Sequence, residues 1–294
     1  MVIQHNIAAV NAYRNLNNNT TALNKNLEKL SSGYRINRAA DDAAGLAISE
    51  SMRSKIAGLD QSVSNANDGI GLIQTAEGAL SETHSMLQRM TTLATQAANG
   101  TYNTTARSNI QAEVDELSKE IDRIANSTEY NSFKPLTSNG GNAKTNQITL
   151  QIGPTASQKL VITVQNMKLS GIFNSTNLNS APTKTIQVSG HSIAGLSIMS
   201  VSHANKAITA ISNAINSVSK FRAQLGAKQN RLEHTINNLK VTSENVTSAE
   251  SRIRDTDMAS EMAAYTKNNV LVQAATSMLA QANQSGSSVL SLLQ

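Results

Sequence analysis

VSHANKAITAISNAINSVSKFRAQLGAKQNRLEHTINNLKVTSENVTSAESRI, residues 201–253, decides the fold. Ile211, Val218, Leu225, Leu232, Leu239, Val246 and Ile253 recur within it in unbroken seven-residue register. Ile208, Ile215 and Ile236 partly fill a companion row, which Arg222, Gln229 and Ser243 leave imperfect. A sustained apolar heptad keeps one stripe of a helix turned toward a partner helix along its whole length. A helix over these residues is roughly 80 Å long at 1.5 Å per residue, more than a small globular core covers. The stretch therefore predicts helix packed on helix along a rod.

Similar spacing appears on either side. Ala66, Ile73, Leu80, Leu87 and Ala94 stand seven apart, flanked by Ile70, Ala76, Met90 and Ala97, and this helix should stop near Asn99-Gly100. A third helix begins at Asn103-Thr104, both good N-caps, and carries Ile110, Val114, Leu117, Ile121 and Ile124. The rod core is thus assigned to Leu80, Leu87, Leu117, Ile121, Leu225, Leu232, Leu239 and Val246. Near the amino terminus, Tyr13, Leu16, Leu23, Leu27 and Leu30 share one helical face. Ser31-Ser32-Gly33 breaks that helix, and Asp41-Asp42 opens the next.

The final stretch, 256–294, is helical again. Val272, Leu279 and Leu293 form one row, and Ala275, Ala282 and Val289 another. From Asn268 to Gln294 no residue is charged. A polar but uncharged helix is a poor solvated surface and too hydrophilic for lipid, so burial against copies of itself fits best. Low charge also spares an inner interface the desolvation of ions. The expected self-assembly seam is Leu16, Leu23, Leu27 and Leu30 with Val272, Ala275, Leu279, Ala282, Val289 and Leu293.

Residues 131–200 differ in composition. They hold the three prolines (Pro135, Pro154, Pro182), Gly140-Gly141, and the alternating runs 147–152, 160–164 and 185–188. The first two runs, joined across Gly153-Pro154-Thr155-Ala156, read as a small β-hairpin. The segment is too small for a core of its own and should fold onto the helices.

Composition narrows the function. Aromatic residues make up 3% of the 294, with no Trp, and charged residues 15%; a small-molecule pocket is usually lined by bulky and aromatic groups. The absence of Cys excludes disulfides, thiolate catalysis and Cys-ligated zinc. The formal charge of +5 is spread over single Lys and Arg residues, so no nucleic-acid partner is expected. The first residues, MVIQHNIAAVNAYRNLNNN, lack the basic and apolar regions of a Sec-type signal peptide, and no apolar window is long enough for a membrane span.

Candidate chemistries fail on spacing. His5, His84, His191, His203 and His234 are scattered, and none makes an H-E-x-x-H pair. Gly69-Ile70-Gly71 lacks the third glycine and the preceding strand of a dinucleotide loop. Asp255-Thr256-Asp257 lacks the acidic ladder of a calcium loop and reads as a break between helices. No catalytic residue, cofactor or metal is assigned, and the chain is not expected to be an enzyme.

Several stretches together resemble bacterial flagellin. They are Ile3-Gln4-His5-Asn6-Ile7-Ala8-Ala9 at the start, LSSGYRINRAADDAAGLAI at 30–48, and LQRMTTLATQAANGT at 87–101 followed by IQAEVDEL and IDRIA. SRIRDTDMASEMA at 251–263 and SMLAQANQ at 277–284 complete the set. The resemblance covers about two thirds of the chain, at both ends and in the family's order.

The resemblance implies a mainly α fold: a long antiparallel coiled-coil rod formed by the terminal segments, with a small β element in the middle. It places 1–40 and 255–294 as the innermost coiled coil of a filament, and 41–254 as a helical domain without a large surface insertion. It further implies a homopolymer serving motility outside the cell, and export through the flagellar type III apparatus. An export chaperone would hold the C-terminal helix, about 256–294. Flagellar cap and hook-junction proteins are further implied partners. Toll-like receptor 5 is an implied host partner, through Arg89 and Leu93 on the second helix and Glu113 on the third, read as an exposed Arg beside a Leu anchor. At Met90-Thr91-Thr92 the sequence departs from strongly stimulating members, which usually carry a charge there. Two rivals remain: a hook–filament junction protein, similar at the termini, and a flagellin with a metallopeptidase insert, which the lack of H-E-x-x-H in the middle segment disfavours.

Overall fold

The computed structural model describes residues 6–137, 147–174, 186–188, 191–193 and 196–292. Long helices dominate: α1 (Ile7–Ser32), α2 (Ala43–Ala98), α3 (Thr104–Ser127), α5 (Val201–Arg254) and α6 (Met258–Leu292). Between α3 and α5 lie β1 (Gln147–Gln151), β2 (Lys159–Thr163), the short α4 (Leu169–Asn174), β3 (Ile186–Val188) and β4 (His191–Ile193). The fold is mainly α with a small antiparallel β element, the class that the heptads predict. The backbone divides into two compact units, Met1–Ala57 with Thr242–Gln294, and Gly58–Val241.

Helix boundaries follow local chemistry. Asn6 caps α1 by accepting the Ala9 N–H at 3.1 Å, and Asn103 caps α3 by accepting that of Ala106 at 2.8 Å. Asp42, just ahead of α2, accepts the Gly45 N–H at 2.9 Å. Gly33 ends α1 in the left-handed region (φ 74°) and returns its N–H to Lys29 O, the geometry that favours glycine after a helix.

In the unit Gly58–Val241, α2, α3 and α5 share one apolar core. The α2 row Ala66, Ile73, Leu80, Leu87 and Ala94 is fully buried, joined by Met90 and Ala97. On α5, Ile211, Val218, Leu225, Leu232 and Leu239 are buried, whereas Val246 is half-buried and belongs to the other unit. In the first half of α5 the companion row lies one residue back from the expected one, with Ala207, Ala214 and Phe221 buried and Ile208 and Ile215 only flanking the core, whereas Ile236 is buried as expected. That shift takes Arg222 out of the core row, and its guanidinium faces Glu77 at 3.5 Å. On α3 the buried stripe is Ile110, Val114, Ser118, Ile121 and Ala125, while Leu117 packs against its edge.

The β-hairpin has no separate core. Leu160 and Ile162 of β2 join the helical cluster, together with Met167, Leu169, Ile172 and Phe173. Its register pairs Gln147 with Thr163 and Gln151 with Lys159. The face of α2 beneath it is built from small residues. A side chain at Gly69 would meet Leu150 and one at Gly58 would meet Pro154. Asn65 Nδ2 donates to Gln151 O at 3.0 Å, and Lys228 Nζ of α5 donates to Val161 O. Both outer edges of the hairpin are therefore capped by helix side chains, which blunts them against pairing with another strand. Burial beside that strand, with Arg231 nearby, lowers the Lys228 pKa. The pair β3–β4 is antiparallel. Gly140-Gly141 and Pro182 lie outside the described residues.

Candidate functional site

The candidate site is the pair of terminal helices, within the unit Met1–Ala57 with Thr242–Gln294. Here α1 and α6 run antiparallel, their backbones approaching more closely than those of any other helix pair among the described residues. At one end Asn6 Nδ2 donates to Ala282 O at 2.8 Å. At the other Lys29 Nζ faces Glu261 Oε2 at 3.8 Å. The seam keeps alternating three- and four-residue spacing on both helices: Ala9, Ala12, Leu16, Asn19, Leu23, Asn26 and Leu30 against Glu261, Tyr265, Asn268, Val272, Ala275, Leu279 and Ala282. Alanines at four of these positions explain the close approach.

The seam is thin. Leu16, Leu23 and Leu30 are half-buried, as are Val272, Ala275, Leu279 and Ala282. Leu27 is exposed, one position off the stripe. Leu293 and the side chain of Val289 lie outside the described residues. Off the seam, Ile7 and Val10 of α1 and Val270 of α6 face away from the partner helix, while Tyr13 and Leu27 of α1 and Leu271 and Met278 of α6 flank it, all exposed, with Val10 at 62% and Met278 at 64%. Single exposed apolar residues are ordinary on a protein surface, but rows of them mark an interaction surface.

The amino-terminal helical region of bacterial flagellin matches residues 3–139, and its carboxy-terminal helical region matches 208–293. Flagellin of Bacillus subtilis (strain 168) is 48% identical over 313 residues, covering all of both chains. The chain belongs to the bacterial flagellin family. The flagellar filament 33 kDa core protein of Treponema phagedenis is 46% identical, again over both full lengths. A solved structure from Vibrio parahaemolyticus, assigned as flagellar hook-associated, shares the fold at a TM-score of 0.54 and 12% identity, covering 73% of this chain and 100% of that one. Flagellins are structural proteins that polymerise into a filament.

In this member of the flagellin family a joint links the terminal helices to the rest of their unit. The α1–α2 link and the α5–α6 link form a short antiparallel ladder: Arg35 N–H donates to Arg254 O at 2.6 Å, and Thr256 N–H to Gly33 O at 3.0 Å. Arg35 Nη2 donates to Ile253 O. Arg254 donates to Glu50 Oε1 at 2.6 Å, and that hydrogen bond holds the Glu50 carboxyl below the usual carboxylate range. Asp41 is likewise lowered, by the backbone N–H of Arg38 and then that of Asn37. Asp257 accepts the N–H groups of Ala259 and Ser260 and starts α6. The break read at Asp255-Thr256-Asp257 is this joint.

The residues singled out for a receptor are separated by burial. Arg89 and Glu113 are exposed and paired across α2 and α3, with Arg89 Nε and Nη2 both on Glu113 Oε1 at 2.8 and 2.7 Å. Leu93 is 2% exposed and sits in the core. The pairing of an exposed Arg with an accessible Leu is corrected accordingly: one turn beyond Arg89, the helix has turned its side chain inward. Among the described residues no cluster of His, Asp or Glu suits a metal ion, and no helix is long and apolar enough to cross a membrane.

Sequence reading missed the polar half of the seam and the joint. Asn19 and Asn26 occupy seam positions but look like surface residues in the sequence. The only available signal was their seven-residue spacing, in step with Ala12.

Proposed function

We propose that this chain is a structural subunit that polymerises into the bacterial flagellar filament and so serves motility, working by packing and without catalysis. The observation that carries the reading is the set of apolar side chains left facing solvent on α1 and α6 beside a half-buried seam. Ordering a residue costs about 1–2 kcal/mol of backbone entropy, and the α1–α6 seam offers little burial in return. Neighbouring subunits supply the missing burial, so that ordering of the arms is coupled to assembly. A repeated contact between unlike surfaces that does not close on itself generates a helical filament.

On this reading residues 1–40 and 255–294 form the innermost layer, with the seam and outward rows as the polymer contacts, and 41–254 the next layer. The subunit is exported unfolded through the flagellar type III apparatus. A chaperone covers α6 until then, because α6 leaves Met258, Met262, Val270, Leu271 and Met278 exposed. Cap and hook-junction proteins meet the same terminal surfaces, and the finished polymer lies outside the cell. For Toll-like receptor 5 the contact reduces to the Arg89–Glu113 pair, with Leu93 supporting it from beneath.

Adding the purified chain to sheared flagellar seeds tests the proposal by negative-stain electron microscopy. Long filaments are the expected result. A short collar at the seed end would instead favour a hook–filament junction protein, and no growth would overturn the assembly reading.

A further inference from the structure

Asn26 is the one buried residue of α1 among the described residues, at a seam position where an apolar side chain would pack. In the amide orientation that satisfies both of its ends, Asn26 donates to Glu261 Oε1 at 3.0 Å and Ala22 O at 3.1 Å. It accepts from Asn268 Nδ2 at 3.0 Å and from the Tyr265 N–H at 3.2 Å. Every partner but Ala22 lies on α6. The second carboxylate oxygen of Glu261 faces Lys29, so one polar cluster ties the two helices together.

The cluster matters because α1 offers two overlapping apolar faces. Leu16, Leu23 and Leu30 meet α6, while Tyr13 and Leu27, on the flank of the same face, stay exposed. Apolar burial is non-directional, and by that criterion a face with Tyr13 and Leu27 turned inward suits α6 better than one with Asn19 and Asn26. Hydrogen bonds are directional. Rotating α1 to bring Tyr13 and Leu27 against α6 turns Asn26 outward and breaks its hydrogen bonds to Asn268 and Glu261, a loss that an apolar residue at that position never incurs. A polar residue in an apolar seam trades stability for a unique alignment.

We propose that Asn26, through Asn268 and Glu261, is the specificity-determining contact of the terminal pair: it selects the face of α1 that α6 covers and keeps the Tyr13–Leu27 row outward for a second copy of this chain. The role given to the outward row rests on the filament reading; the choice of face does not.

The chain has no Cys, so single cysteine pairs report helix faces cleanly. One pair, Leu16→Cys with Val272→Cys, sits on the seam. The other, the outward pair, Tyr13→Cys with Ala275→Cys, joins the exposed flank of α1 to the seam of α6. Under oxidised glutathione at low protein concentration, the seam pair should close within the chain at least about tenfold faster than the outward pair while Asn26 and Asn268 are present, as expected of a contact that discriminates between two packings. In Asn26→Leu/Asn268→Leu the two pairs should close at comparable rates, with helix content retained by circular dichroism. Asn26→Gln, which keeps the amide, should retain the seam preference. An outward pair that stays as slow in the double Leu variant as in the parent overturns the proposal, and so does loss of the preference in Asn26→Gln. Both readings are made on unpolymerised chain, so failure of the filament reading shows separately, as failure of the unsubstituted chain to extend seeds.

Discussion

The guanidinium of Arg254 lies over the ring of Tyr34, 4.7 Å from its centroid. The same side chain reaches Glu50, so the end of α5 holds both the α1–α2 link and an early turn of α2. A cation–π contact contributes about 0.5–1 kcal/mol when exposed and about 2 kcal/mol when desolvated, and the Arg254 side chain is only 12% exposed. Tyr34→Ala should therefore destabilise the joint by about 1 kcal/mol, while Tyr34→Phe, which keeps the ring, should be near neutral. Hydrogen exchange across residues 33–42 measures this, with the amides of α3 unchanged as the control.

Acid should loosen the same joint. Glu50 is lowered by its hydrogen bond from Arg254, and Asp41 by the N–H groups of Arg38 and Asn37. A carboxyl lowered by folding stabilises the protein above its unfolded pKa, and that contribution is lost as pH falls through the folded value. The Glu50 contribution is therefore complete above its ordinary value of 4.5 and fades below it. Urea titrations at pH 6 and pH 3 check this: the parent loses stability between them, and Glu50→Gln loses less.

Burial separates two leucines that the sequence treats alike. Leu80 is fully buried in the helical core and Leu117 lies at its edge. Leu80→Ala should cost about 2–5 kcal/mol through lost contacts and a residual cavity. Leu117→Ala should cost distinctly less, because solvent already reaches the site. Thermal unfolding of the two variants gives the comparison.

These distinctions show where the sequence was legible. Long, regularly spaced apolar rows such as Ala66–Ile73–Leu80–Leu87–Ala94 declare a buried helix face, and Asn103 and Asp42 announce their helix starts. The first half of the companion row of α5 was misplaced by one residue, though Ile236 was not, because Ala207 and Ala214 carry little hydrophobic weight beside Ile208 and Ile215, although the small side chains are the ones the close packing admits. α4 and β4 are too short for any periodicity to register. The Tyr34–Arg254 contact joins residues far apart in the chain, and Asn26 resembles any solvated Asn until its partners on α6 are in place. Polar groups that specify a structure leave no hydrophobic pattern to read.

The receptor surface divides in the same way. Arg89→Ala and Glu113→Ala should leave stability within about 0.5 kcal/mol of the parent, since an exposed ion pair contributes about 0–1 kcal/mol, yet weaken any Toll-like receptor 5 signal in reporter cells. Leu93→Ala should lower thermal stability by about 2–5 kcal/mol, so that its effect on signalling follows from unfolding. A Leu93 variant with parental stability and lost signalling would assign that side chain to the contact itself.

Removing residues 256–294 takes away α6 and with it every partner of the α1 seam. The unit Gly58–Val241 keeps its core, so the truncated chain should remain helical by circular dichroism while seeds exposed to it fail to lengthen.

The most direct test charges the outward faces without touching the seam. Val10→Lys with Val270→Lys alters two side chains that are 62% and 58% exposed, so the unpolymerised chain should keep its helix content and melting behaviour. In seeded growth followed by electron microscopy, this double variant should add no measurable length to flagellar seeds that the parent extends. Elongation at the parental rate would contradict assembly through these faces.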